Sequence, residues 1–136
     1  MRYLCLIVWD EDVLANLPKA EVERLNAAHL ALNEDLIASG QFIEAEPLEP
    51  SAATTRVRVR EGKTALLDGP YVETKEQVAG FYLIEARDLN EAIQVAQRFP
   101  SAAYATVEVR PCRRLVVDGE ARPSSSKSAA IHPTAA

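Results

Sequence analysis

Two short stretches of this chain are apolar at every position, and they limit its fold more than any other feature. One is Tyr3-Leu4-Cys5-Leu6-Ile7-Val8-Trp9. The other is Gly80-Phe81-Tyr82-Leu83-Ile84, the middle of a segment running from Val78 to Ala86. Both are too short for core helices and rich in β-branched and aromatic residues. Each therefore reads as a strand buried on both faces. A sheet built around two such strands needs cover on both sides.

The segments between them supply cover for one side. After a polar, turn-like stretch from Asp10 to Asn16, Val22, Leu25, His29, Leu32 and Leu36 recur at spacings of three and four. This is one face of an amphipathic helix. Pro18 suits its first turn and Gly40 its C-terminal stop, which predicts a helix over Pro18–Ser39. Phe42–Leu48 reads as a strand near an edge, because Pro47 and Pro50 cannot donate to a ladder. Thr55 to Arg60 alternates strictly, Glu61-Gly62 makes a tight turn, and Lys63–Leu67 returns as a hairpin. Asp88 with Glu91 has the form of a capping box. Leu89, Ala92, Ile93, Ala96 and Phe99 then follow at helical spacing, up to Pro100. Thr106–Arg110 alternates as a last main strand.

The order is therefore β-α-β, a hairpin, then β-α-β. It predicts an α+β fold: a ferredoxin-like split βαβ unit with an inserted β-hairpin, and an antiparallel sheet carrying two helices on one face. The uncovered apolar face calls for a second copy of the chain, because an exposed apolar patch of that size is a liability and most oligomers are symmetric. A homodimer is expected. The domain is expected over residues 1–118, followed by a Ser-, Ala- and Pro-rich disordered tail over 119–136.

The bulk numbers exclude several classes. The chain has 136 residues and a formal net charge of −5, which argues against nucleic acid or an anionic membrane surface as partners. No apolar run approaches the length of a membrane span. Acidic Asp10, Glu11 and Asp12 follow the N-terminal run and no small-residue cleavage site is visible, so a cytoplasmic start is expected. Cys5 and Cys112 lie in strand-like segments and read as reduced thiols, or as a disulfide if those strands are neighbours. No metal-ligand spacing, Walker motif, dinucleotide fingerprint or nucleophile elbow is present. No metal and no cofactor are expected.

The segment from Asp68 to Tyr82, DGPYVETKEQVAGFY, resembles the signature of the DGPF-motif branch of the YCII-related proteins. Tyr71 fills the aromatic position. The opening strand, Ala28, His29, Asn33 and Glu34 of the first helix, and Val107 to Pro111 also match. The resemblance covers Met1 to Arg114. It implies a dimeric α+β barrel and, in the broader group, a site centred on a His and an Asp. Some relatives are lyase- or isomerase-like enzymes acting on chlorinated or hydroxylated aromatic breakdown products. Others are associated with sigma factors, which implies a possible regulatory partner.

Seen against this resemblance, His29 is the leading catalytic residue, since imidazole is the side chain best placed for acid–base work near neutrality. The only other histidine, His132, falls in the tail. Asn26 and Asn33 lie three before and four after His29 and share its ridge. Asp68 is the expected carboxylate partner of His29. Asp-Gly-Pro is equally ordinary turn chemistry. Gly69, Pro70 and Tyr71 would rim a substrate pocket, Lys75 would anchor a substrate charge, and Glu73 or Glu76 would position it. The reading that follows is a cofactor-independent lyase or isomerase moving a proton on a small carboxylated or hydroxylated molecule. A non-enzymatic module binding a small ligand or a protein is the alternative.

Overall fold

A computed structural model describes residues 1–124. His132 and most of the expected tail lie outside the described residues. The main sheet has four antiparallel strands in the order β2-β5-β1-β6, formed by β1 (Arg2–Asp10), β2 (Phe42–Pro47), β5 (Glu76–Glu85) and β6 (Thr106–Pro111). The two apolar runs are the two central strands, as their composition requires. They are direct neighbours, with Leu4 opposite Leu83 and Leu6 opposite Phe81. This is the split βαβ arrangement: α2 (Lys19–Ala38) carries the chain from β1 to β2, leaving a place between them that β5 fills.

One face of the sheet is covered. Tyr3, Cys5, Ile7 and Trp9 of β1 and Tyr82 and Ile84 of β5 are buried against Leu25, Leu32 and Leu36 of α2 and against Ala92, Val95 and Phe99 in and after α3 (Leu89–Ala96). The alternate residues Leu4, Leu6, Val8, Phe81 and Leu83 point the other way, and all are only half-buried. The two expected helices therefore share one face, and the apolar second face is present as the sequence requires.

Local chemistry sets the helix ends. Gly40, at φ 75°, closes α2 with paired bonds, from its own N–H to the Ile37 carbonyl at 3.1 Å and from Gln41 N–H to the Leu36 carbonyl at 2.9 Å. This double bond pattern needs a left-handed residue, which glycine adopts without a steric penalty. Asp88 caps α3 by accepting from Glu91 N–H at 2.9 Å. The stretch after β1, expected as a turn, is instead a short helix, α1 (Glu11–Ala15), because the Asp10 carboxylate accepts from the N–H groups of Asp12 and Val13. The Glu11 carboxylate in turn accepts from Ser51 N–H at 2.8 Å and from its hydroxyl, and these bonds hold the Glu11 carboxyl below its usual range. They tie the 3₁₀ turn Ser51–Ala53 to the end of β1.

Two hairpins stand outside the main sheet. β3 (Thr55–Arg60) and β4 (Lys63–Asp68) pair only with each other, through a turn with Glu61 at φ 51° and Gly62 at φ 75°. β7 (Leu115–Val117) and β8 (Glu120–Arg122) form the second, closed at Asp118-Gly119. Regular structure thus runs through Arg122, past the boundary expected at 118, because Asp-Gly supplies the two left-handed residues of a tight hairpin turn.

Candidate active site

Along α2, Val22, Leu25, Asn26, His29, Leu30 and Asn33 form a stripe lining a cavity of about 460 Å³. The sheet opposite contributes Ala45, Ala79 and Gly80, and the small size of these residues leaves the volume open. A bulge in the β1–β5 ladder between Ile7 and Val8 adds Ala79 at this point, a device that re-aims strand residues beside a site. β2 also comes close here. A Cβ on Gly80 would stand 3.0 Å from the Glu46 carbonyl oxygen and 3.4 Å from the Pro47 Cα, so a side chain here would push the β2 backbone back by a few tenths of an ångström.

Four side chains form a hydrogen-bonded line along the wall. Tyr82 donates its hydroxyl proton to Asn33 Oδ1 at 2.5 Å. The phenol oxygen is then free to accept from His29 Nδ1–H at 2.8 Å. On the other side of the ring, His29 Nε2 lies 3.1 Å from Ser101 Oγ and accepts the Ser101 backbone N–H at 3.3 Å. Because that amide donates to Nε2, the nitrogen must hold a lone pair. The resting ring is therefore neutral, with its proton on Nδ1. Burial also pushes the His29 pKa below its ordinary value. Burial raises the Tyr82 phenol to about 12, although the bond to Asn33 opposes this, so Tyr82 remains protonated. Tyr82 stacks on Phe99 with ring centroids 4.3 Å apart, which fixes the phenol's direction.

The sequence shows Tyr82 only as part of an apolar central strand and does not single out Ser101. Tyr82 belongs to an apolar strand, where an aromatic is ordinarily core. Ser101 follows Pro100 in the 3₁₀ turn Pro100–Ala103, 72 residues from His29. No local spacing links the two; only packing of that turn against α2 brings them together.

The Asp68–Glu76 segment lies elsewhere in the chain. Asp68 ends β4 and is exposed, and the His29 ring bonds to Tyr82 and Ser101, not to a carboxylate. The expected His29–Asp68 pair is not made within one chain, because turn bonding holds the motif apart. Gly69 stands at φ 86° and donates to the Thr54 carbonyl at 2.7 Å, while Arg56 donates to the carbonyls of Gly69 and Asp68 at 3.0 and 3.3 Å. Beyond it, Gln77 donates to the carbonyls of Val72 and Thr74, and Thr74 Oγ1 to that of Glu76. The Lys75 carbonyl accepts from Glu11 N–H at 2.8 Å. Gly69, Pro70, Tyr71, Glu73, Lys75 and Glu76 do not line the cavity, whereas Asn26, His29 and Asn33 do. Among the described residues, the lining contains no lysine or arginine, and Glu46 is its only carboxylate.

Among the described residues, no group of three or more His, Cys, Asp or Glu could hold a metal ion, and no helix is long and apolar enough to cross a membrane.

The fold and site define a class: a split βαβ domain with a histidine-bearing cavity between its long helix and its sheet. The YCII-related domain matches residues 1–116, and the chain belongs to this family. It is 36% identical over 113 residues to an uncharacterized protein, R00369, of Rhizobium meliloti (strain 1021), covering 82% of this chain and 91% of that one. Among solved structures it is similar to 5-chloro-2-hydroxyhydroquinone dehydrochlorinase (TftG) from Burkholderia phenoliruptrix AC1100 in complex with 2,5-dihydroxybenzoquinone. That match has a TM-score of 0.45 and 20% identity, and covers 85% of this chain and 96% of the other.

Proposed function

We propose that the cavity binds a small hydroxylated molecule and that His29 moves a proton on it without a cofactor, in a lyase- or isomerase-type reaction. The observation that carries this reading is the line Asn33–Tyr82–His29–Ser101 on the wall of an otherwise apolar cavity. Pockets that turn over small molecules combine apolar lining with a few convergent polar groups. In the resting state the Nε2 lone pair is the basic atom. It takes the substrate proton directly or through the Ser101 hydroxyl, which gives its own proton to Nε2 and receives the substrate's. The imidazolium so formed keeps donating through Nδ1 to Tyr82, whose own donation to Asn33 orients the phenol oxygen toward the charge. The same proton returns to another substrate atom in an isomerisation, or leaves with a departing group in an elimination.

Because neutral dipoles, not a carboxylate, support the ring, His29 is a weak base suited to already acidic protons such as those of phenols and enols. With Glu46 and no lysine or arginine among the described lining residues, a hydroxylated substrate fits better than a carboxylated one. A second reading, binding without turnover, is favoured by the engagement of both ring nitrogens within the protein.

The test is NMR titration of His29 in the wild type and in Tyr82→Phe, with a screen of small phenols and enols. The expected result is a His29 pKa below about 6.5 that moves in Tyr82→Phe, with ligand shifts at Asn26, His29 and Asn33. An unperturbed ring, and no ligand touching these residues, would sink the proposal. Binding without product would favour the second reading.

We also read the chain as a homodimer, supported by the half-buried second sheet face of Leu4, Leu6, Val8, Phe81 and Leu83.

A further inference from the structure

The β3–β4 hairpin is built like an arm. A two-stranded hairpin is at best marginally stable alone, and this one makes no ladder with the main sheet. Its two sides differ sharply. Val57 faces Leu66 and Val59 faces Thr64 across the ladder, so these four share one side; Val57 is 66%, Val59 56% and Leu66 67% exposed. The other side pairs Arg56 with Leu67, which is 41% exposed, Arg58 with Ala65 and Arg60 with Lys63, and carries the arm's cations. The alternation that in an ordinary strand would bury one side leaves the apolar side open here. Tyr71, 81% exposed, and Val72 follow directly after the arm.

The base of the arm is held firmly. Thr54 and Gly69 are bonded across it, Arg56 clamps the carbonyls of Asp68 and Gly69, and Glu11 fixes Ser51 just upstream. The arm is therefore presented in a defined direction.

We infer that this arm clasps a second copy of the chain, with Val57, Val59 and Leu66 covered by the partner. Charge points to a copy of this chain as the occupant. The arm, residues 55–68, carries Arg56, Arg58, Arg60 and Lys63 against Glu61 and Asp68, a net +2, so with a formal charge of −5 overall the remainder of the chain carries −7. A basic arm thus meets an acidic body in its own twin, an arrangement that favours correct docking. The same chain also offers an apolar sheet face needing cover, and a two-fold pair uses each surface twice. This inference rests on the homodimer reading and adds the arm to it.

The test is the Val59→Lys/Leu66→Lys double variant, compared with wild type by light scattering over a dilution series and by hydrogen exchange of amides 55–68. Both side chains are exposed, so the fold is expected to stand, as a two-dimensional NMR spectrum will verify. The expected outcome is a dimer dissociation constant raised at least tenfold, and wild-type arm amides whose protection falls on dilution. Should the double variant not fold, Arg58→Glu/Arg60→Glu leaves the apolar side intact; it should weaken the dimer and flatten its salt dependence. A wild-type monomer at tens of micromolar would remove both the homodimer and the arm clasp. A dimer indifferent to the arm variants, with arm protection independent of concentration, would overturn the clasp alone.

Discussion

His29 is placed so that its neighbours oppose its protonation. The Ser101 amide aims a proton at Nε2, and burial withdraws water from the ring. The fold therefore favours the neutral form. The unfolded chain takes up a proton as pH falls through about 6.5, whereas the folded ring resists until lower pH. This contribution to stability is complete above about 6.5 and is lost as pH falls below that value and through the folded pKa. Urea denaturation of the wild type and His29→Gln should show it: the wild type loses stability more steeply between about pH 7.5 and pH 5, and equal slopes would contradict the assignment. His29→Ala should leave the fold and assembly intact while abolishing ligand binding; loss of folding would mark the ring as a core residue. Tyr82→Phe removes the hydroxyl between Nδ1 and Asn33 and strands both partners. Its expected cost is about 1–3 kcal/mol, measurable by the same denaturation.

At the scale of elements, the cavity exists because a helix stripe of large residues faces strand positions occupied by alanine and glycine. Ala79→Leu should fill this space, eliminating ligand shifts at Asn26 and Asn33 in NMR while changing stability little; retained binding would show that the ligand sits elsewhere. Gly80→Ala should instead strain the contact of β5 with the Glu46 carbonyl, lowering stability by about 1–3 kcal/mol, as thermal unfolding will report. The thiols separate at this scale too. Both are free. Cys5 is buried and pushed up to about 11, first by burial and then by Cys112 nearby. A thiol reagent should label half-buried Cys112 in the native protein and reach Cys5 only on unfolding, since the thiolate is the reactive form.

At the scale of the whole molecule, three apolar surfaces stay partly or largely exposed among the described residues: the second sheet face, the β3–β4 arm, and Leu115, Val116 and Val117 of β7. A compact monomer does not ordinarily leave so much apolar area in water. Light scattering at micromolar concentration should report twice the monomer mass of 14.9 kDa, and a clean monomer would remove the packing argument.

Local pattern carries the four strands of the main sheet, the two helices that cover it and the first hairpin. Unbroken apolar runs of this length, rich in β-branched and aromatic residues, read as central strands, the spacing of Leu25, Leu32 and Leu36 reads as a helix face, and Gly40, Gly62 and Asp88 mark ends through local backbone chemistry. It also put Asn26, His29 and Asn33 on one ridge, because helical period is a local property. The short helix α1 escaped notice, since five residues carry too little periodicity and only the Asp10 cap defines it. The partners of His29 could be decided only by the tertiary structure. Tyr82 and Ser101 reach the ring from 53 and 72 residues away through packing of β5 and the Pro100 turn on α2. Asp68, the carboxylate that the family resemblance implied, is held by its own turn bonds at the base of the arm. Periodicity fixes which way a side chain points along its own element, but which distant groups meet there depends on how the elements pack, and no local spacing records that.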